Sequence, residues 1–170
     1  MTKKELTGIA VKFHHAIIAA KEDAAFAYKD RMSRFPEGCC DDTADLFTHN
    51  RYTKYGIVST RIDASYHDGN PENNCSHSWQ EIDDIVIDLT GSQFKNDRFF
   101  LNYNKEVYVG PIDAFHELFE IDRKERSRGI EDLSVDCWDR MYHLYDTIIR
   151  FLEVSQNTQE RQANGTNKKI

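Results

Sequence analysis

The chain has no surplus of positive charge, no long apolar run and no CxxC pair, and each absence closes off a class of protein. Its 22 lysines and arginines are outnumbered by 29 aspartates and glutamates, a formal net charge of −7 at pH 7. The electrostatic footprint that holds phosphate backbones is missing, so nucleic acid is not an expected partner. The apolar stretch near the N-terminus is interrupted by Lys12, His14 and His15. It offers no uninterrupted signal-type core of ~7–15 residues, and nothing approaches the ~18 needed to span a bilayer. A soluble, cytoplasmic protein with no membrane partner is the expectation. The cysteines at 39, 40, 75 and 137 could pair in a secreted chain. The first two are adjacent and no export signal is present, so free thiols, one of them reactive, are the better reading. There is no internal repeat.

Apolar residues make up only 39% of the 170 positions, below the ~45–50% usual for soluble domains. The 10 Phe, 8 Tyr and 2 Trp compensate, because each buries a large area. The length suits a single domain, assigned to residues 1–155. Residues 156–170 are polar without periodicity and read as a disordered tail.

Leu6, Ile9, Ala10, Phe13, Ile17, Ala20, Ala24 and Ala27 recur at steps of three and four. That spacing predicts one long helix, or two in sequence, over 5–33, ending near Ser33 ahead of Phe35-Pro36-Glu37-Gly38. A second helix is predicted from Cys40 to about Tyr55, with Asp41 and Asp42 in its first turn and Gly56 closing it. Strands are expected at 57–66, 77–82, 85–89 and 106–109, the middle two joined by a hairpin at Asp83-Asp84. Ile112–Ile121 reads as a short helix, Asp122–Asp132 as a charged connection, and Val135–Val154 as an amphipathic helix. Helices, then about four antiparallel strands, then helices make an α+β fold. The two terminal helices should pack together as an added layer, although their apolar faces also allow a homodimer seam.

Three residues stand in contexts that suit one chemistry. Cys40 falls where a turn enters a helix, and unpaired backbone N–H groups there stabilise a thiolate. His77 opens one strand of the hairpin and Asp88 ends the next, so the carboxylate can reach the imidazole across the ladder. Cys40, His77 and Asp88 are thus nucleophile, base and orienter. Gln93 lies close enough after Asp88 to reach the site as an auxiliary amide, and Trp79 is core that also shields the His77–Asp88 pair from water.

The surrounding residues carry a resemblance. Gly38-Cys39-Cys40-Asp41-Asp42-Thr43-Ala44-Asp45-Leu46-Phe47 resembles the G-x-C-x-x-x-A-x-L-F nucleophile helix of the transglutaminase-like branch of papain-like thiol enzymes. His77-Ser78-Trp79-Gln80-Glu81-Ile82 and Ile87-Asp88-Leu89-Thr90 resemble its H-x-W-x-E and D-x-T strands, and Tyr55-Gly56-Ile57 its turn into the first strand. The match spans about residues 35–94. It departs at Leu89, where the family usually has proline, and at Cys39 and Asp41, where an aromatic residue often flanks the nucleophile. The resemblance implies a papain-like fold, with a Cys-bearing helix packed on a small antiparallel sheet. It also implies acyl transfer through a thioester, without cofactor, on a protein or peptide substrate. Families of this kind occur among bacterial peptidases, effectors and mobile-element proteins. Hydrolysis of a peptide, isopeptide or side-chain amide bond is the expected reaction, since nothing marks a second acceptor site. A catalytically silent interaction module is the alternative.

Other readings are weaker. Adjacent Cys39 and Cys40 with Cys75 and His77 make a poor zinc set, because structural zinc sites space their cysteines as C-x₂₋₄-C; no metal is expected. Cys39 should pack behind the turn. His116, beside Phe115, reads as a packing histidine, and His14 and His15 are assigned nothing. Asp41 and Asp42 are expected to face solvent, since turned inward they would oppose a thiolate. Substrate choice should fall to the loops at 67–76 and 93–104.

Overall fold

Thr2 and Glu5 form a capping box at the start of α1 (Lys3–Glu22): the Thr2 hydroxyl accepts from Glu5 N–H at 3.2 Å, and the Glu5 carboxylate accepts from Thr2 N–H at 2.6 Å. In this computed structural model, residues 1–95 and 102–166 are described, the side chains of 156 and 158–166 excepted. Helix α1 ends well before Ser33. Asp23 caps it and Ala24 takes a left-handed conformation, φ 53°. The chain then returns Phe26 and Met32 to the core without a helix, Met32 in a 3-10 turn (Arg31–Arg34) capped by Asp30. Small alanines keep helical spacing across 24 and 27, but nothing on that face needs them.

Helix α2 (Cys40–Tyr55) has the expected limits, with Gly56 in the left-handed conformation that ends a helix. Its residues from Asp42 to Arg51 are all buried, because it lies between the other helices and the sheet. Five antiparallel strands follow: β1 (Ser59–Tyr66), β2 (Cys75–Ile82), β3 (Ile85–Asp88), β4 (Tyr108–Gly110) and β5 (Glu120–Ser127), in the order β4-β3-β2-β1-β5. The hairpin at Asp83-Asp84 sets Ile82 opposite Ile85 and Gln80 opposite Ile87. Two-residue alternation then sends Ile87 into the core with α1, α2 and α3, and Val86 into a second cluster with Ile62, Trp79, Phe94, Phe115 and Phe119.

Strand β5 takes the last two residues of the predicted helix at 112–121 and about half of the charged connection predicted at 122–132. Only His116–Leu118 makes a helical turn, of 3-10 type. The sequence Glu-Ile-Asp-Arg-Lys-Glu-Arg lacks apolar alternation because it is an exposed edge, paired to β1 through its backbone. Arg123 on Asp63 and Lys124 on Glu81 add cross-strand ion pairs, and charge of this kind is what edge strands carry.

Helix α3 (Val135–Thr166) packs along α1, so the terminal helices form one layer. It continues past Val154 through most of the span predicted as a disordered tail; residues 167–170 lie outside those described. No helix among the described residues is long and apolar enough to cross a membrane.

Candidate active site

Cys40 is the first residue of α2, and Cys39 at the N-cap position makes no capping hydrogen bond. The first amides of the helix therefore keep their hydrogens for a ligand, and the dipole favours negative charge there. Cys40 and His77 share a groove of about 330 Å³ with Arg31, Asp41, Ser78 and Gln93. Residues 96–101 of the loop expected to govern substrate choice lie outside those described. A larger cavity, about 750 Å³, lies where the ends of the helices meet; Glu5, Lys12 and Lys54 line it, with neither cysteine nor histidine.

The triad residues predicted from sequence come together. His77 has no exposed surface, and its Nε2 lies 2.8 Å from Asp88 Oδ2. Its Nδ1 faces the groove. Burial alone would raise the Cys40 thiol, but the hydrogen bond and positive charge of His77 outweigh it and hold the thiol below its ordinary range. Burial alone would likewise disfavour the His77 imidazolium, yet the Asp88 carboxylate raises it to about 9. Burial would push Asp88 up, and the charge of His77 with bonds from His116 and His77 drives it far below the carboxylate range. These directions together favour a thiolate–imidazolium pair. Asp88 Oδ1 accepts from Thr90 N–H at 2.8 Å and from the Thr90 hydroxyl at 3.2 Å.

Gln93 does reach the site. Its Nε2 lies 3.2 Å from His77 Nδ1, and its Oε1 accepts from Gly38 N–H at 3.4 Å. Trp79 is buried with its ring 5.7 Å from His77 and its Nε1 unpaired, a wall rather than a donor to the groove. Phe94, Phe115 and Phe119 complete that wall, with ring centres 5.2–5.8 Å from His77.

Three expectations need correction. Asp42 is not in solvent: it is buried, and its oxygens accept from Arg140 at 2.6 and 3.0 Å while Arg31 lies 2.8 Å away. Asp41 is half-buried and bonds Arg31 at 3.2 Å. Arginine, not water, neutralises the acids that follow Cys40. His116 is more than packing: its Nε2 lies 3.3 Å from Asp88 Oδ2. The signal available in the sequence was the i, i+3 pair Asp113 and His116, whose Oδ1 and Nδ1 are 2.6 Å apart.

Cys39 packs in the core, where burial pushes its thiol up to about 12. None of the four cysteines forms a disulfide. Among the described residues, the group close enough to hold a metal ion is His77, Asp88 and His116, its ligand atoms within 4.8 Å of one another, and not the cysteine set. Those atoms already bond one another, both imidazoles meeting the same Asp88 oxygen, and Asp88 and His116 do not line the groove.

No protein-family model and no curated protein matches the chain. A crystal structure from a genomics effort is similar at 14% identity, covering 89% of this chain and 78% of its own, with a TM-score of 0.37.

Proposed function

We propose that this protein is a thiol acyl-transfer enzyme of the papain-like, transglutaminase-like kind, acting as a hydrolase on peptide, isopeptide or side-chain amide bonds. The observation that carries the reading is the groove-facing Cys40 at an uncapped helix N-terminus, paired with a buried His77 that Asp88 orients from 2.8 Å. Cys40 Sγ attacks the carbonyl carbon. The carbonyl oxygen takes the negative charge, facing the Cys40 N–H and the Gln93 amide. The C–N bond then breaks as His77 Nδ1 delivers a proton to the leaving amine. Water, deprotonated by His77, attacks the thioester, releasing the acid and the thiol. Asp88 holds the imidazole in the tautomer that presents Nδ1 and stabilises its charged form. Four cysteines without a disulfide fit a reducing, cytoplasmic setting.

The test is covalent capture. Folded, reduced protein incubated with a peptidyl acyloxymethyl ketone should gain one adduct, mapped to Cys40 by peptide mass. Cys40→Ser and His77→Ala should gain none. An adduct at Cys40 that is indifferent to His77→Ala would overturn the reading.

A further inference from the structure

We infer that His116, backed by Asp113, is a positioning residue of this site: it completes the coordination of Asp88 on the side away from Cys40 and sets the charge that His77 experiences. The inference rests on the acyl-transfer reading above. His116 is almost fully buried and meets a carboxylate at each ring nitrogen, Asp88 Oδ2 at 3.3 Å from Nε2 and Asp113 Oδ1 at 2.6 Å from Nδ1. An ionised carboxylate has no hydrogen to donate, so both N–H groups come from the ring, and a ring donating from both nitrogens is cationic. Asp113 is held for this task. Its Oδ1 also accepts from the His116 backbone N–H at 3.2 Å, and its Oδ2 from the Tyr103 hydroxyl at 2.9 Å and Lys105 Nζ at 3.1 Å.

Charges then alternate from Cys40 through His77, Asp88 and His116 to Asp113, with Lys105 closing the series. Besides these groups, the titratable rings facing His116 are Tyr108 of β4, stacked at 5.5 Å, and Tyr103 at 5.9 Å. Trp79 of β2 closes the remaining edge at 5.0 Å. A packing histidine needs one partner. This one joins two carboxylates from separate segments, and the inner one is the group that aims His77. Asp88 accepts four hydrogen bonds in all, two on each oxygen. His116 supplies the one that shares Oδ2 with His77, fixing the oxygen while restraining how strongly it holds the His77 proton.

The donor and the charge can be separated. His116→Phe keeps the ring volume and removes both; His116→Gln keeps a donor at the Nε2 position and removes the charge. Iodoacetamide labelling of Cys40 near pH 7 should slow about tenfold or more in His116→Phe, the weight of one charge-assisted hydrogen bond. Most of that rate should return in His116→Gln. In His116→Gln, where the donor stays and the charge goes, the His77 imidazole, followed by ¹⁵N NMR, should lose its proton at a higher pH, because a neighbouring cation is gone. Circular dichroism melting reports whether each variant is folded, and Asp113→Asn, at the outer and less buried end, serves if His116→Phe is not. That variant should slow labelling in the same direction. A folded His116→Phe or Asp113→Asn with the parent's labelling rate, or an unmoved His77 titration, would overturn the inference. The wild-type ¹⁵N spectrum decides independently of reactivity: His116 should carry hydrogen on both nitrogens at pH 7, and a single N–H overturns the inference. An unreactive wild-type Cys40 would instead defeat the acyl-transfer reading.

Discussion

Cys39 and Cys40 are adjacent in sequence, and the fold assigns them opposite chemistry, which pH-resolved alkylation can measure. Cys39 has no exposed surface and a thiol pushed up to about 12, so at pH 6 roughly one molecule in a million presents its thiolate. Cys40 lies below the ordinary range. Activated cysteines titrate at ~3.5–7.5, which at pH 6 means a thiolate share from ~3% to nearly all, against ~0.3% for a free thiol of ~8.5. Thiolate share is only half of the rate, because nucleophilicity falls with pKa at a Brønsted slope of ~0.4–0.5. With both factors counted, a thiol in that range has a lead of anywhere from none to about 15-fold over a small reference thiol in the same tube at pH 6; Cys40, whose thiol lies below the ordinary range, should label faster than the reference there. Near pH 9 the reference is mostly ionised and the more nucleophilic, so the order should reverse. Labelling with limiting iodoacetamide, quenched over time and read by peptide mass, gives both rates. In His77→Ala, burial of Cys40 is opposed only by a hydrogen bond from the Ser78 backbone, and its rate at pH 6 should drop well below the reference. Equal labelling of Cys39 and Cys40, or a Cys40-to-reference ratio that does not change between pH 6 and 9, would refute the reasoning.

Asp88→Asn should cost less labelling rate than His77→Ala, because the neutral amide can still hold the ring but cannot support its positive charge; labelling at pH 6 checks it. Asp113 is held down to about 2 although burial opposes it, chiefly by its bond to His116, so its contribution is present above ~3.9 and lost as pH falls toward 2. Asp113→Asn should therefore remove about 2 kcal/mol at pH 6 and almost none at pH 2, measured by urea unfolding. Gly129 sits at φ 90°, and a Cβ there would lie 2.4 Å from His49 N and 2.7 Å from Asp45 O. Gly129→Ala should lower stability by about 3 kcal/mol, seen as a fall in Tm. Arg140→Ala strips Asp42 of two hydrogen bonds beside the nucleophile. It should cost about 1–3 kcal/mol, the guanidinium being partly solvent-exposed, and slow Cys40 labelling at pH 6.

What the sequence made legible follows from how local each signal is. Helix α2 could be bounded because Gly38, Asp41, Asp42 and Gly56 are punctuation acting within a turn of themselves. The hairpin through Asp83-Asp84 was legible for the same reason, and it carries His77 and Asp88, so the triad came with it. Strand β5 was not, because its stability comes from pairing with β1, some 60 residues earlier in the chain, and an exposed edge needs no apolar alternation. The end of α1 was missed because alanines keep helical spacing whether or not a helix uses it. His116 and the arginine neutralisation of Asp42 escaped because both are meetings of distant segments. Arg140 reaches Asp42 across 98 positions and Asp30 across 110.

That last span bears on when during synthesis the charge of Asp42, close to Cys40 in the chain, is balanced. Cys40, His77 and Asp88 all leave the ribosome before Arg140 is made. Until α3 emerges and docks, Asp42, two residues along α2 from Cys40, lacks its Arg140 partner, and α1 lacks the surface it packs against. A nascent chain stopped short of residue 140 thus holds all three triad residues while one charge beside the sulfur still lacks its clamp. Cys40 should therefore label more slowly in a nascent chain stopped short of residue 140 than in one that has made and docked α3.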